Sequence, residues 1–168
     1  STFAIAQGIR AELSGIDAVT QGLNTAKGIG SVAIAGVTGI SNLLTDVRGK
    51  LTELANEGIT SAQRSILTED FNALLSQAGN FIANASFNGV NLIESGAGSV
   101  NTLSNLAGGT LSLTAQSVVN TQVGSLAGVT ITTATNAQSV IANQYANLES
   151  VVNTALGSLG AEVRALNL

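Results

Sequence analysis

Two interleaved rows of apolar residues run through positions 2–54, and they dictate how the rest of the chain must fold. One row reads Ile9, Ile16, Leu23, Gly30, Val37, Leu44 and Leu51. The other reads Ile5, Glu12, Val19, Ala26, Ala33, Ile40, Val47 and Leu54, so that only Glu12 and Gly30 break the pattern. Residues repeating every seventh position, with the two rows three and four apart, lay one narrow stripe along a single helix. At 1.5 Å per residue that helix is roughly 80 Å long. A rod far beyond the usual three or four turns cannot bury its own seam, so the remaining residues must lie along it.

The next residues supply that cover. Gly58 reads as a helix end, and Thr60 or Ser61 as the cap of a second helix. Leu67, Phe71, Leu74, Ala78, Phe81 and Ala85 give this second helix its own stripe, and the short connection returns it antiparallel beside the first. Phe87-Asn88-Gly89 then marks a tight structural turn, because Asn and Gly both tolerate positive φ. From Glu94 to Thr133 helical periodicity is lost. Thr110–Thr114 and Val129–Thr132 alternate as strands do and are expected to pair as a hairpin, with a loop and at most a helical turn between them. A last helix opens near Thr135 or Asn136 and carries Ile141, Tyr145, Leu148, Val152, Ala155, Leu159 and Leu166. The expected fold is mainly α, an elongated antiparallel bundle of three helices, one very long, with a small β-hairpin inserted before the last. As one domain it divides into a long helix over 1–57, a second over 60–86, a turn and hairpin region over 87–133, and a C-terminal helix over 135–168.

Gly8, Gly15, Gly22 and Gly36 share one heptad position beside the stripe. Each glycine costs a helix about 1 kcal/mol relative to alanine. A shared column therefore reads as a smooth strip for close packing against another helix or subunit.

Residue chemistry excludes most catalytic classes. The chain has no His, Cys, Met, Trp or Pro, which removes the commonest general base, thiolate chemistry and the commonest metal ligands. Its ten carboxylates fall on outward faces, and a serine nucleophile would have only Lys27 or Lys50 as a base. Neither a catalytic site, a cofactor site nor a metal site is expected. A net charge of −4 with six scattered cations gives no footprint for nucleic acid. The apolar run Gly28–Leu44 is about 17 residues and continues the heptad stripe, short of the roughly 20 that span a membrane. No membrane partner is expected. The sequon Asn84-Ala85-Ser86 matches the glycosylation pattern.

The long heptad helix, Asp46-Val47-Arg48 with Leu54-Ala55-Asn56, and above all Ala85-Ser86-Phe87-Asn88-Gly89-Val90-Asn91-Leu92-Ile93 together resemble bacterial flagellin. Phe3-Ala4-Ile5-Ala6-Gln7-Gly8-Ile9-Arg10 is similar to the alphaproteobacterial type. The resemblance implies a structural subunit of the extracellular flagellar filament, a homo-oligomer exported by the flagellar secretion apparatus. It implies the core-wall helical domain without the terminal polymerisation helices, monomeric or weakly associated as a fragment. It also places Asp46, Lys50 and Glu69 at the positions an innate immune receptor reads in detected flagellins. There Asp46 and Lys50 replace Arg and Leu, while Glu69 matches.

Two readings compete within this architecture: the hook–filament junction protein, which shares the helical core, and a surface homologue acting as a polysaccharide-binding adhesin. An adhesin would show an exposed aromatic patch, whereas Tyr145 falls in the seam. A third, a membrane-active translocator, is favoured only by the Gly28–Leu44 run.

Overall fold

The computed structural model describes residues 1–168. Helix α1 runs unbroken from Thr2 to Leu54, with the Ser1 hydroxyl accepting from the Ala4 N–H at 3.3 Å. Its stripe has two fates. From Ala26 to Leu54 the rows are buried, with Ala33, Val37, Ile40, Leu51 and Leu54 fully inaccessible. Ahead of Ala26, the residues Ile5, Ile9 and Ile16 of the same rows lie exposed.

α1 ends at Leu54 without using Gly58. Its free terminal carbonyls are met by the Arg64 guanidinium, which donates to Leu54 O at 2.8 Å and Asn56 O at 3.1 Å. Helix α2 (Ser61–Ala83) opens with a reciprocal cap: the Gln63 N–H donates to Thr60 Oγ1 at 3.1 Å, and the Thr60 N–H to Gln63 Oε1 at 2.9 Å. The fork and the cap fix the turn between them, and α2 returns antiparallel. Lys50 pairs with Asp70 at 3.5 Å. The Phe81 ring lies where a Cβ on Gly39 would stand, and the Phe87 ring does the same over Gly28. The buried face of α2 is Phe71, Leu75, Ala78 and Ile82. Leu75 and Ile82 replace the expected Leu74 and Phe81, because Phe81 lies against the glycine-lined flank of α1 instead of pointing at its seam.

Strands β1 (Ser86–Phe87) and β2 (Val90–Asn91) close a two-residue hairpin on Asn88 (φ 54°) and Gly89 (φ 78°). Buried Asn91 locks it: its Nδ2 donates to Ile82 O at 2.7 Å, and its Oδ1 accepts from the N–H groups of Ile93 and Glu94, both at 3.0 Å. Gly89→Ala forces a Cβ into the left-handed region and is expected to cost about 1–2 kcal/mol. Urea unfolding measures it, with Gly79→Ala, in an open helical position, as the stabilising control.

The second hairpin differs from the expected one. Strand β4 (Thr110–Leu113) pairs with β3 (Val100–Leu103), Val100 opposite Leu113 and Leu103 opposite Thr110; residues 129–132 form no strand. The nearer partner closes a far shorter loop at lower entropic cost. The intervening segment is then free to fold as helix α3 (Val118–Ala127), which buries Val119, Val123 and Leu126 at helical spacing. α3 packs on both α2 and the C-terminal helix, so a fourth, short helix joins the three expected ones.

The C-terminal rod comprises α4 (Ala134–Val140), a π-turn (Ile141–Tyr145) and α5 (Ala146–Leu166). Its cap is Thr133, whose Oγ1 accepts from the Asn136 N–H at 3.1 Å. The rod runs antiparallel to α1: Gln138 donates to Ala55 O at 3.2 Å, Tyr145 to Leu44 O at 3.2 Å, and Val163 lies over Gly30. Tyr145, Leu148, Val152, Ala155 and Leu159 complete the seam.

Candidate assembly surface

The register of that rod decides what remains uncovered. Val163 stands opposite Gly30, so the last turn of α5 reaches only the level of about Ala26, and six turns of α1 project beyond it. On them Ile5 (66% exposed), Ile9 (53%), Leu13 (57%) and Ile16 (50%) lie three or four apart on one face. Large apolar side chains aligned on consecutive turns are costly in water, at about 1.5–3 kcal/mol each for full burial against full exposure. A contiguous exposed row of this kind marks an interaction surface.

The β3–β4 hairpin lies against this projecting part. Leu106 at its tip sits against Gly15, Thr102 against Gly22, and a shallow dent of about 370 Å³ opens between Ile16, Val19, Thr20, Leu23 and residues 104–106. The base of the hairpin is clipped to α5 by Glu162, whose carboxylate accepts from the Thr114 N–H at 3.0 Å and the Thr114 hydroxyl at 2.6 Å.

The glycine column therefore divides. Gly8 has open space beside it, Gly15 and Gly22 seat the chain's own hairpin, and Gly36 is buried under α2. A Cβ at Gly36 would stand 3.0 Å from the Ala85 Cβ and 3.1 Å from the Phe81 carbonyl oxygen. Gly36→Leu is expected to destabilise the bundle by about 2–3 kcal/mol through overpacking against backbone. Gly8→Leu should stabilise its helix by several tenths of a kcal/mol or more. Thermal unfolding of the pair compares one heptad column at two depths.

Asp46 and Lys50 lie together on a groove of about 510 Å³ between α1 and α2, shared with Glu53, Asp70 and Gln77. Glu69 lines a different groove with Arg64, Thr68 and Thr132, so the three positions do not converge on one concave site. Phe87, Asn88 and Gly89 form the turn described above. No three of the acidic side chains gather as a metal-binding group.

Tyr145 is the single tyrosine, and sequence reading gave it no role beyond packing. Burial raises its pKa above the ordinary 10.0, and the neighbouring Glu149 charge and hydrogen bond push the same way, against a smaller lowering by Arg48. The unfolded chain then loses this proton at lower pH than the folded one. Stability should be independent of this group below pH 10 and fall as pH rises from there through the folded value. With no Trp in the chain, ultraviolet titration of the phenolate reads this directly, and a midpoint above 10 is expected.

The comparisons agree with this geometry. The family model described as the bacterial flagellin N-terminal helical region matches residues 1–97. Flagellin FljM of Caulobacter vibrioides is 27% identical over 165 residues, 98% of this chain and 60% of that protein. Flagellin FljK of the same organism is 27% identical over 158 residues, 94% of this chain and 58% of its own length. The chain thus spans about three fifths of these relatives. In fold it is similar to the crystal structure of Bacillus cereus flagellin, with a TM-score of 0.74 at 18% identity, covering 86% of this chain and 84% of that one. With its long capped rod, its Asn-Gly corner and a family match over more than half its length, the chain belongs to the bacterial flagellin family.

Proposed function

We propose that this chain is the helical wall of a structural subunit of the extracellular flagellar filament, and that its role is mechanical and not enzymatic. The observation that carries the reading is the single stripe of α1, buried under α2 and α5 over one half and bare over the other. Half the seam is used to fold these residues, and the bare half is an apolar face that becomes covered in the assembled filament. The subunit associates with copies of itself through contacts that repeat without closing into a ring, which generates a helical polymer. Low surface charge suits that packing, since few ions need desolvating.

The test is expression of the full-length gene as the sole flagellin in a cell that otherwise builds hook and motor. Long filaments in electron micrographs are the expected result. Short stubs at the hook tip would favour the junction protein, and bare hooks would reject both readings.

The charged groove around Asp46 and Lys50 supports a second part of the proposal, that the subunit escapes the innate receptor. A reversed charge and a lost apolar anchor each weaken an interface by about 1 kcal/mol or more. Reporter cells carrying that receptor should stay silent with full-length protein; a strong response rejects this part alone.

A further inference from the structure

The C-terminal rod has a regular seam available that it does not use. Ala134, Ala137, Ile141, Tyr145 and Leu148 are spaced three, four, four and three, as an unbroken α-helix requires. The structure buries Ala134, Ala137, Val140, Tyr145 and Leu148 instead, leaving Ile141 half-buried, and the five-residue step from Val140 to Tyr145 is taken up by the π-turn. Two neighbouring β-branched side chains, Val140 and Ile141, thus compete for one place in the core.

Polar groups at the turn are also left divided. Gln144 Oε1 is buried without a hydrogen-bond partner. Tyr145 has one hydroxyl proton for two acceptors, Leu44 O at 3.2 Å and Glu149 Oε2 at 3.3 Å. A single turn of π-helix is uncommon and often marks a functional point in a helix. A buried amide oxygen left unpaired is destabilising, so the turn carries a cost that a regular helix would not impose at Gln144.

We propose that the π-turn is a two-position joint in the C-terminal rod, in which α4 rolls about the rod axis and exchanges Val140 for Ile141 in the core. Ala134 and Ala137 stay on the core side in both positions, while the one-residue roll, roughly 100°, breaks the Gln138 contact to Ala55 O and carries Gln138 toward the seam. Tyr145 stays in the seam and its proton passes from one acceptor to the other. In a mechanical rod this turns one end by one residue's rotation relative to the other without unfolding either.

Hydrogen exchange and three variants of the full-length protein test it. In the wild type the amides of residues 141–146 should exchange about tenfold or more faster than those of 148–159. Val140→Ser should convert the turn to regular α-helix, slow that exchange, and lower Tm by less than half as much as Val37→Ser, a buried valine with no apolar neighbour to replace it. Val140→Ser/Ile141→Ser, which empties both places, should restore the full loss. Uniform exchange along the wild-type rod, a π-turn that persists in Val140→Ser, or a Tm loss there equal to that of Val37→Ser would each overturn the joint. So would a double variant no worse than the single one.

Discussion

Phe71→Ala lowers the stability of the bundle by about 3–5 kcal/mol, which at roughly 2–4 °C per kcal/mol for a chain of this size takes about 6–20 °C from Tm. Phe71 is 1% exposed. The other three phenylalanines, Phe3, Phe81 and Phe87, are 69%, 38% and 40% exposed, so a single phenylalanine fills the core between α1 and α2. The core cluster it belongs to is built largely of Ala, Val, Leu and Ile, small side chains that fill little of the space a phenyl ring leaves. The Lys50–Asp70 pair at the same level is 32% and 49% exposed and offsets little, because exposed ion pairs contribute about 0–1 kcal/mol. Differential scanning calorimetry of Phe71→Ala beside Phe3→Ala separates the two environments. The second variant should stay within about 0.5 kcal/mol of the wild type, as exposed substitutions do.

The helices were legible because their signal is local. Heptad spacing over residues 2–54 needs only one chain segment, and α1 begins at Thr2 and ends at Leu54. The Asn88-Gly89 corner was legible for the same reason, since only the turn itself requires positive φ. Strand pairing was not. Thr110–Leu113 alternates clearly, but alternation names a face and not a partner, and the weaker segment Val100–Leu103 wins by lying closer in the chain. Helix α3 was hidden by its polar residues, with Val119, Val123 and Leu126 too few to stand out.

The candidate surface was half legible. Periodicity shows that the stripe of α1 seeks cover but not what supplies it, so Ile9 and Leu44 look alike in sequence and differ wholly in burial. The glycine column was visible as a column. That Gly36 faces α2, Gly15 the hairpin tip and Gly8 open space depends on where the other elements stop. Over residues 1–168 the C-terminal rod lies beside α1 only from about Ala26 onward, and burial along the long helix divides at that level.

The decisive experiment compares assembly with folding in the full-length protein carrying Ile5→Ser, Ile9→Ser and Ile16→Ser together. These side chains lie 66%, 53% and 50% exposed, outside the cluster that holds the bundle, so the same three changes made in residues 1–168 should leave unfolding of the helical wall near that of the wild type. Truncating three aligned apolar anchors at the centre of a contact is worth several kcal/mol, on the order of 1–2 or more each. The fraction that sediments as polymer on ultracentrifugation should therefore fall about tenfold or more under conditions where the wild type assembles. Wild-type polymer from the triple variant, with the bundle equally stable, would contradict the claim that the bare half of the long helix is the assembly surface.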